Sequence, residues 1–280
     1  MQKFKGLFTI IRPLNCTITF FTIVLAAFIC SNNFDYRFAI IAGLAGALVN
    51  AAGNIINDIF DLEIDKINRP QRPLPSGIMT TTFAINAYVY LSFFALILAY
   101  YNLNLNSFLI VVITSVMMFL YSFILKGIRL VGNIVVSFFT GLAFVFGSVV
   151  VNNFYCGIIP AVFAFQISLM REIVKDIEDI EGDKEIGIST FPIKYGIDKS
   201  IKLITIIGCV LIISTTIPFV LQIYNWYYFA FVTLTVNGIL GYSMQTLNKD
   251  TSTKSLRTVS TLLKVGMILG VISIYLGVNF

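Results

Sequence analysis

The placement of charge constrains this chain more than any other feature of its sequence. The 19 Lys+Arg and 14 Asp+Glu leave charge-free runs over residues 13–34, 38–57, 73–125, 130–170, 203–248 and 265–280, of 22, 20, 53, 41, 46 and 16 residues. A helix needs about 20 apolar residues to cross a bilayer, so each of the three long runs predicts two spans joined by an uncharged turn, and each of the others predicts one. With 58% apolar and only 12% charged residues, the chain is expected to be an all-α polytopic membrane protein, a bundle of nine transmembrane helices around a central cavity. Residues 1–280 are expected to form a single transmembrane domain.

Nine spans sort the basic residues almost completely. The N-terminus and the connections after spans two, four, six and eight receive 18 of the 19 Lys and Arg, and the other side receives only Arg37. The positive-inside rule then places the N-terminus and those connections in the cytoplasm and the C-terminus outside, in a multi-pass protein of the cell membrane. The opposite turns, around 101–107, 151–157 and 222–226, are short and neutral, so the working face is expected to be cytoplasmic. Residues 1–5 lack a cleavable-signal pattern.

Composition also removes chemistry. There is no histidine, which excludes a histidine general base, a His-ligated haem, an HExxH zinc site and a Ser-His-Asp triad. Cys16, Cys30, Cys156 and Cys209 share no metal-ligand spacing and read as separate small buried residues. The excess of basic residues is accounted for by topology, so no nucleic-acid partner is expected, and no protein partner is implied.

Eleven of the 14 acidic residues fall into two clusters, at the ends of spans two and six. Aspartates occur at offsets 0, 3 and 7 in both, as Asp58, Asp61, Asp65 and as Asp176, Asp179, Asp183, and each cluster has a polar residue at offset −4, Asn54 and Glu172. At about 100° per residue these positions form a stripe roughly 60° wide on one helix face. Carboxylates so placed repel one another, and a helix C-terminus adds to the cost, so a cation is expected among them. Hard oxygen ligands without His or Cys suit Mg2+ or Mn2+, and Mg2+ commonly binds a few carboxylates together with substrate phosphate. One such cluster is plainly explained as a solvated helix end. Two with the same offsets, each continuous with an apolar span, point to opposed faces holding a diphosphate through bridging metals.

The loop Asn68 to Gly77 carries Arg69 and Arg72 among three prolines, and two arginines three apart suit bidentate contacts to phosphate. Lys126 and Arg129, with Tyr121 on the preceding helix, and Arg12 with Asn15 at the start of span one, are further candidates. For these, phosphate binding and a purely topological role both stand open.

The string Asn57-Asp58-Ile59-Phe60-Asp61-Leu62-Glu63-Ile64-Asp65, the Arg69–Gly77 loop, Tyr121 to Lys126, and Lys175-Asp176-Ile177-Glu178-Asp179-Ile180-Glu181-Gly182-Asp183 together resemble the UbiA superfamily of intramembrane prenyltransferases, in order and over nearly the whole chain. Within it, the Arg-Pro-Gln-Arg-Pro-Leu-Pro-Ser-Gly loop and Arg171 to Asp176 look most like the archaeal geranylgeranylglycerol-phosphate geranylgeranyltransferases. The resemblance implies two Asp-rich motifs that bind Mg2+ and diphosphate, with Asn54, Asp58, Asp61 and Asp65 matching the first and Asp176, Asp179 and Asp183 the second, so the six aspartates are expected to hold two Mg2+. Asn54, Arg69, Arg72, Tyr121, Lys126, Lys175, Glu172, Arg12 and Asn15 are the candidate substrate contacts. It also implies a polyprenyl diphosphate donor and a lipid phosphate acceptor, geranylgeranylglyceryl phosphate, whose free hydroxyl would form the second ether bond of an archaeal membrane lipid. Lys175 stands where the first motif has Asn57, so the two halves are not expected to be equivalent.

Two other functions compete. One is a UbiA-type transferase with an aromatic acceptor, a quinone precursor. The other is an ion-coupled transporter using intramembrane carboxylates, against which the carboxylates lie at helix ends, and spans three, four, five, seven and eight contain no charge.

Overall fold

The computed structural model describes residues 2–31, 35–125, 128–185, 187 and 189–279. Its elements are all helical. They are α1 (Gln2–Ile10), α2 (Pro13–Cys30), α3 (Tyr36–Phe60), α4 (Leu62–Asn68), α5 (Thr81–Asn102), α6 (Leu105–Phe123), α7 (Arg129–Val150), α8 (Phe154–Glu178), α9 (Ile180–Glu185), α10 (Phe191–Tyr195), α11 (Ile197–Val220), α12 (Trp226–Val232), α13 (Gly238–Lys249) and α14 (Thr253–Asn279). A π segment, Thr233–Asn237, joins α12 to α13.

Among the described residues eight helices are long and apolar enough to cross a membrane: α2, α3, α5, α6, α7, α8, α11 and α14. The remaining expected crossing is the composite α12–π–α13 over 226–249, which no single helix spans. The uncharged turns fall where expected, at Leu103–Asn104, 151–153 and 221–225.

The chain divides into two compact units, residues 1–126 with 142–158, and residues 127–141 with 159–280. In the first, α3 is the most enclosed helix. Its Ala42, Gly43, Ala45 and Gly46 let α2 come close: a Cβ at Gly43 would stand 2.7 Å from Phe20 Cδ2, and one at Gly46 would overlap Ile23 Cδ1. The small-residue surface is therefore a packing face. Ile23, Ala42, Ala45, Val49, Ala95, Ala99, Val111 and Phe146 form the adjoining core, while α5 and α6 leave most of their side chains outward. Helix α1, which Lys3 and Lys5 exclude from the span count, joins a second cluster through Ile10, with Ile55, Leu74 and Met79.

Cys30 and Cys156 correct the sequence reading: they form a disulfide, with Cα atoms 5.6 Å apart across a sequence separation of 126. The end of α2 and the first turn of α8 meet there, and Asn153 Nδ2 donates to Cys30 O at 2.8 Å beside it. Cys209 also departs from the expectation, since it is exposed on α11, whereas Cys16 is half-buried. In the second unit α14 packs against α12 and α13, and α13 against α11.

Candidate active site

Both acidic stripes run off the end of a long helix, and both helices are interrupted at the same place. Asp61 separates α3 from α4 and Asp179 separates α8 from α9. The helical hydrogen-bond register nevertheless continues: Asp61 N–H donates to Asn57 O at 2.9 Å and Asp65 N–H to Asp61 O at 2.8 Å, while Asp179 N–H donates to Lys175 O and Asp183 N–H to Asp179 O, both at 2.9 Å. The stripes therefore survive the interruptions.

In the first unit the stripe continues inward as a ladder of polar side chains. Asn50 Nδ2 donates to Thr19 Oγ1 at 2.6 Å, and Asn54 Nδ2 donates to Asn50 Oδ1 at 2.9 Å and Ile11 O at 3.0 Å. Arg12 reaches across from the α1–α2 junction, Nη1 to Asn54 Oδ1 at 3.3 Å and Nη2 to Asp58 Oδ1 at 2.6 Å. Its backbone is left-handed, φ 53°, and Pro13 follows it as the first residue of α2, where a missing N–H costs nothing. Arg72 Nη1 donates to Asp58 Oδ1 at 3.3 Å and to Asp65 Oδ2 at 2.6 Å. Asn57 Nδ2 donates to Asp61 Oδ2 at 2.8 Å.

Asp58, Asp61 and Asp65 are 4%, 8% and 5% exposed. Buried carboxylates require charged or hydrogen-bonding partners, and here two guanidinium groups supply much of that. A single nitrogen of Arg72 thus sits between oxygens of Asp58 and Asp65, a point where positive charge is already held. Among the described residues no three His, Cys, Asp or Glu side chains gather closely enough to hold a metal by themselves. Mg2+ typically takes one or two carboxylates and completes its shell with water and substrate phosphate, so this pair fits that ion in company with a phosphorylated substrate.

The second stripe differs in kind, as Lys175 in place of Asn57 predicts. Asp176 and Asp183 are half-buried and Asp179 is exposed. Asp176 Oδ2 accepts from Asn133 Nδ2 on α7 at 2.7 Å. Glu172 is held by Lys175 Nζ at 2.8 and 3.0 Å and by Arg171 Nη1 at 3.2 Å, so its carboxylate is engaged in ion pairs. Glu178 pairs with Arg257 of α14 at 2.7 Å.

The structure does not bring every candidate into these networks. Arg69 is exposed and closes α4 through its backbone N–H. Asn15 is exposed in the first turn of α2, its backbone N–H donating to Arg12 O at 2.9 Å. Tyr121 is half-buried near the end of α6. Lys126 and the side chain of Arg129 lie outside the described residues. Asn133 and Asn50, by contrast, carry no distinguishing signal in the sequence: each is an uncharged polar residue in an apolar run, as many packing positions are.

The UbiA prenyltransferase family model matches residues 18–271. The chain belongs to that family. It is therefore an intramembrane prenyltransferase, as the motifs led one to expect. The digeranylgeranylglyceryl phosphate synthase of Methanothermobacter thermautotrophicus is 39% identical over 271 residues, covering 96% of this chain and 94% of that protein. A solved structure of a digeranylgeranylglyceryl phosphate synthase superposes with TM-score 0.82 at 33% identity, covering 99% of both chains. A UbiA homolog from Archaeoglobus fulgidus bound to DMAPP and Mg2+ superposes with TM-score 0.69 at 17% identity, over 96% of this chain and 99% of that one, and shares the fold.

Proposed function

We propose that this prenyltransferase moves a geranylgeranyl group from geranylgeranyl diphosphate to the free hydroxyl of geranylgeranylglyceryl phosphate, and that residues 1–280 act as one catalytic domain. The relatives named for that synthase at near-full length support the substrates. The observation that carries the site is the Arg72 nitrogen shared by Asp58 and Asp65.

In this reading each stripe would hold one Mg2+ through one or two of its carboxylates together with substrate phosphate: Asp58 and Asp65, with Asp61 and Asn54 beside them, in the first, and carboxylates among Asp176, Asp179 and Asp183 in the second. The ions supply positive charge to the departing diphosphate. The allylic carbon–oxygen bond breaks with its electron pair going to diphosphate, and the acceptor oxygen forms the new ether bond. Arg12 and Arg72, already turned toward carboxylates, are placed to exchange those partners for phosphate oxygens, and Arg69, Lys126 and Lys175 add donors. Tyr121 is placed at substrate by the resemblance, and Asn15 by its position beside Arg12 at the start of the first span. Glu172, held in ion pairs, is not suited to take the hydroxyl proton, so that proton passes to the released diphosphate. The apolar helices exclude water from the allylic cation.

The same reading places the N-terminus and the site in the cytoplasm and the C-terminus outside. Two observations support it: the distribution of Lys and Arg, and the disulfide, whose cysteines lie at the 1/2 and 5/6 connections on the opposite side, where an oxidising environment preserves such bonds.

The test is incubation of purified protein with geranylgeranyl diphosphate, Mg2+ and a panel of acceptors, with products identified by mass spectrometry. A diether lipid phosphate is expected. Turnover only with a hydroxybenzoate or naphthoate would replace the acceptor and keep the chemistry; ion uptake in liposomes without prenyl transfer would replace both.

A further inference from the structure

The first aspartates of the two stripes are held by opposite kinds of partner. Asp58 meets two guanidinium groups, whereas Asp176 meets the neutral amide of Asn133, which donates from α7 at 2.7 Å across 43 residues of sequence. A guanidinium cancels the charge that attracts a metal and must withdraw before one binds. An amide fixes the carboxylate without cancelling anything, and a carboxylate has about four acceptor sites, of which one donor uses only one.

Asn133 is itself built in. It is 8% exposed, at the charged-loop end of a long apolar helix, where a buried amide is costly unless its hydrogen bonds are made. Its backbone carbonyl accepts from Ser137 Oγ, one turn on, at 2.7 Å, and Ser137 is fully buried. Its side chain is thus committed to Asp176 from a fixed backbone. Groups that hydrogen-bond a metal-binding carboxylate set its orientation, and their loss commonly lowers metal affinity or activity by about 10- to 100-fold.

We infer that Asn133 is a positioning residue for the second acidic stripe, orienting the Asp176 carboxylate for a divalent cation; this rests on the reading of Asp176 as a metal-binding residue. It does not touch substrate, and it gives the second stripe a carboxylate oriented by a neutral donor, whereas Asp58 of the first stripe is held by Arg12 and Arg72.

The test is a Mn2+ titration of the detergent-purified full chain, followed by the loss of the free-ion electron paramagnetic resonance signal, with and without inorganic diphosphate. Asn133→Leu, which is close in size and carries no donor, is expected to weaken one class of Mn2+ site by about 10-fold or more. The same variant is expected to raise the Mg2+ concentration for half-maximal prenyl transfer by a similar factor, with kcat largely recovered at saturating Mg2+. Asn133→Gln, which keeps the amide, is expected to recover part of both losses. Unchanged Mn2+ affinity in a folded Asn133→Leu protein, or kcat lost in both variants with Mn2+ affinity intact, would overturn the inference and leave the enzyme reading standing. Should Asn133→Leu fail to fold, Asn133→Ser serves in its place, and wild-type Mn2+ affinity in that variant is likewise contrary. A wild-type protein that takes up no Mn2+ and transfers no prenyl group would sink the underlying reading instead.

Discussion

Arg12 Nη2 lies 2.6 Å from Asp58 Oδ1, joining residues 46 apart in sequence, and to hold that position Arg12 adopts a left-handed backbone at φ 53°. A non-glycine residue pays roughly 1–2 kcal/mol for that conformation, while a hydrogen bond to a charged group contributes about 1.5–3 kcal/mol. Arg12→Ala is therefore expected to destabilise the cation-free protein by about 1.5–3 kcal/mol, and Arg12→Gly by about 1 kcal/mol less, because glycine adopts positive φ freely. Chemical denaturation in detergent reads the difference. Adding Mg2+ without diphosphate should narrow the gap between wild type and Arg12→Ala, since the ion then neutralises Asp58 in place of the guanidinium.

The two faces of α4 separate function from solvation. Asp65 is 5% exposed and bound to Arg72, whereas Glu63, two residues away, has a side chain 80% exposed and pairs with Lys66 at 2.7 Å. An exposed pair of this kind is worth about 0–1 kcal/mol. Glu63→Ala is expected to keep prenyl transfer within about 2-fold, while Asp58→Ala and Asp65→Ala lose about 100-fold or more, as removal of a preorganised electrostatic group does. Steady-state rates at saturating Mg2+ decide it, and comparable losses at all three positions would refute the stripe.

What was legible in the sequence follows from which signals are periodic. Charge-free length set the spans, and carboxylates at offsets 0, 3 and 7 set the stripes, because helical geometry ties spacing to face. Partner choice across helices has no such periodicity. Asn133 reaches Asp176, and Cys30 reaches Cys156, only through packing at long range, so neither shows in local pattern. Nor does sequence reveal that Asp61 and Asp179 mark helix interruptions, since the hydrogen-bond register runs through both. Lys175 did announce the asymmetry of the stripes, because one residue type replaced another at an equivalent position.

The disulfide supplies an independent test of orientation. Cys30 and Cys156 close the ends of α2 and α8 at a separation of 126 residues, and loss of a native disulfide commonly costs about 2–5 kcal/mol. Cys30→Ser with Cys156→Ser is expected to lower stability by an amount toward the lower end of that range, since membrane insertion already restricts the unfolded chain, with prenyl transfer retained at moderate temperature. In sealed vesicles of cellular orientation, a membrane-impermeant reductant followed by an impermeant maleimide should label these two cysteines from outside. Labelling only after the vesicles are opened would reverse the proposed topology.

The last crossing before α14 depends on one extra residue. A π segment inserts a residue relative to α-helical register, and Thr233–Asn237 is followed by α13, which buries Leu240, Ser243 and Leu247. Asn237 Oδ1 accepts from Thr215 Oγ1 at 3.2 Å, and Tyr228 Oη donates to Thr215 O at 2.8 Å, so both sides of the segment are tied to α11. Leu234 is 80% exposed. Replacing it changes little, but deleting it restores α register and turns α13 by about 100° against α12, carrying the buried leucines off their face. Leu234→Ala is therefore expected to leave the unfolding midpoint of the purified protein unchanged, whereas deletion of Leu234 lowers it and the yield of folded protein sharply. An equally stable deletion variant would mean that the π segment is dispensable and that the packing of α13 against α11 and α14 tolerates rotation.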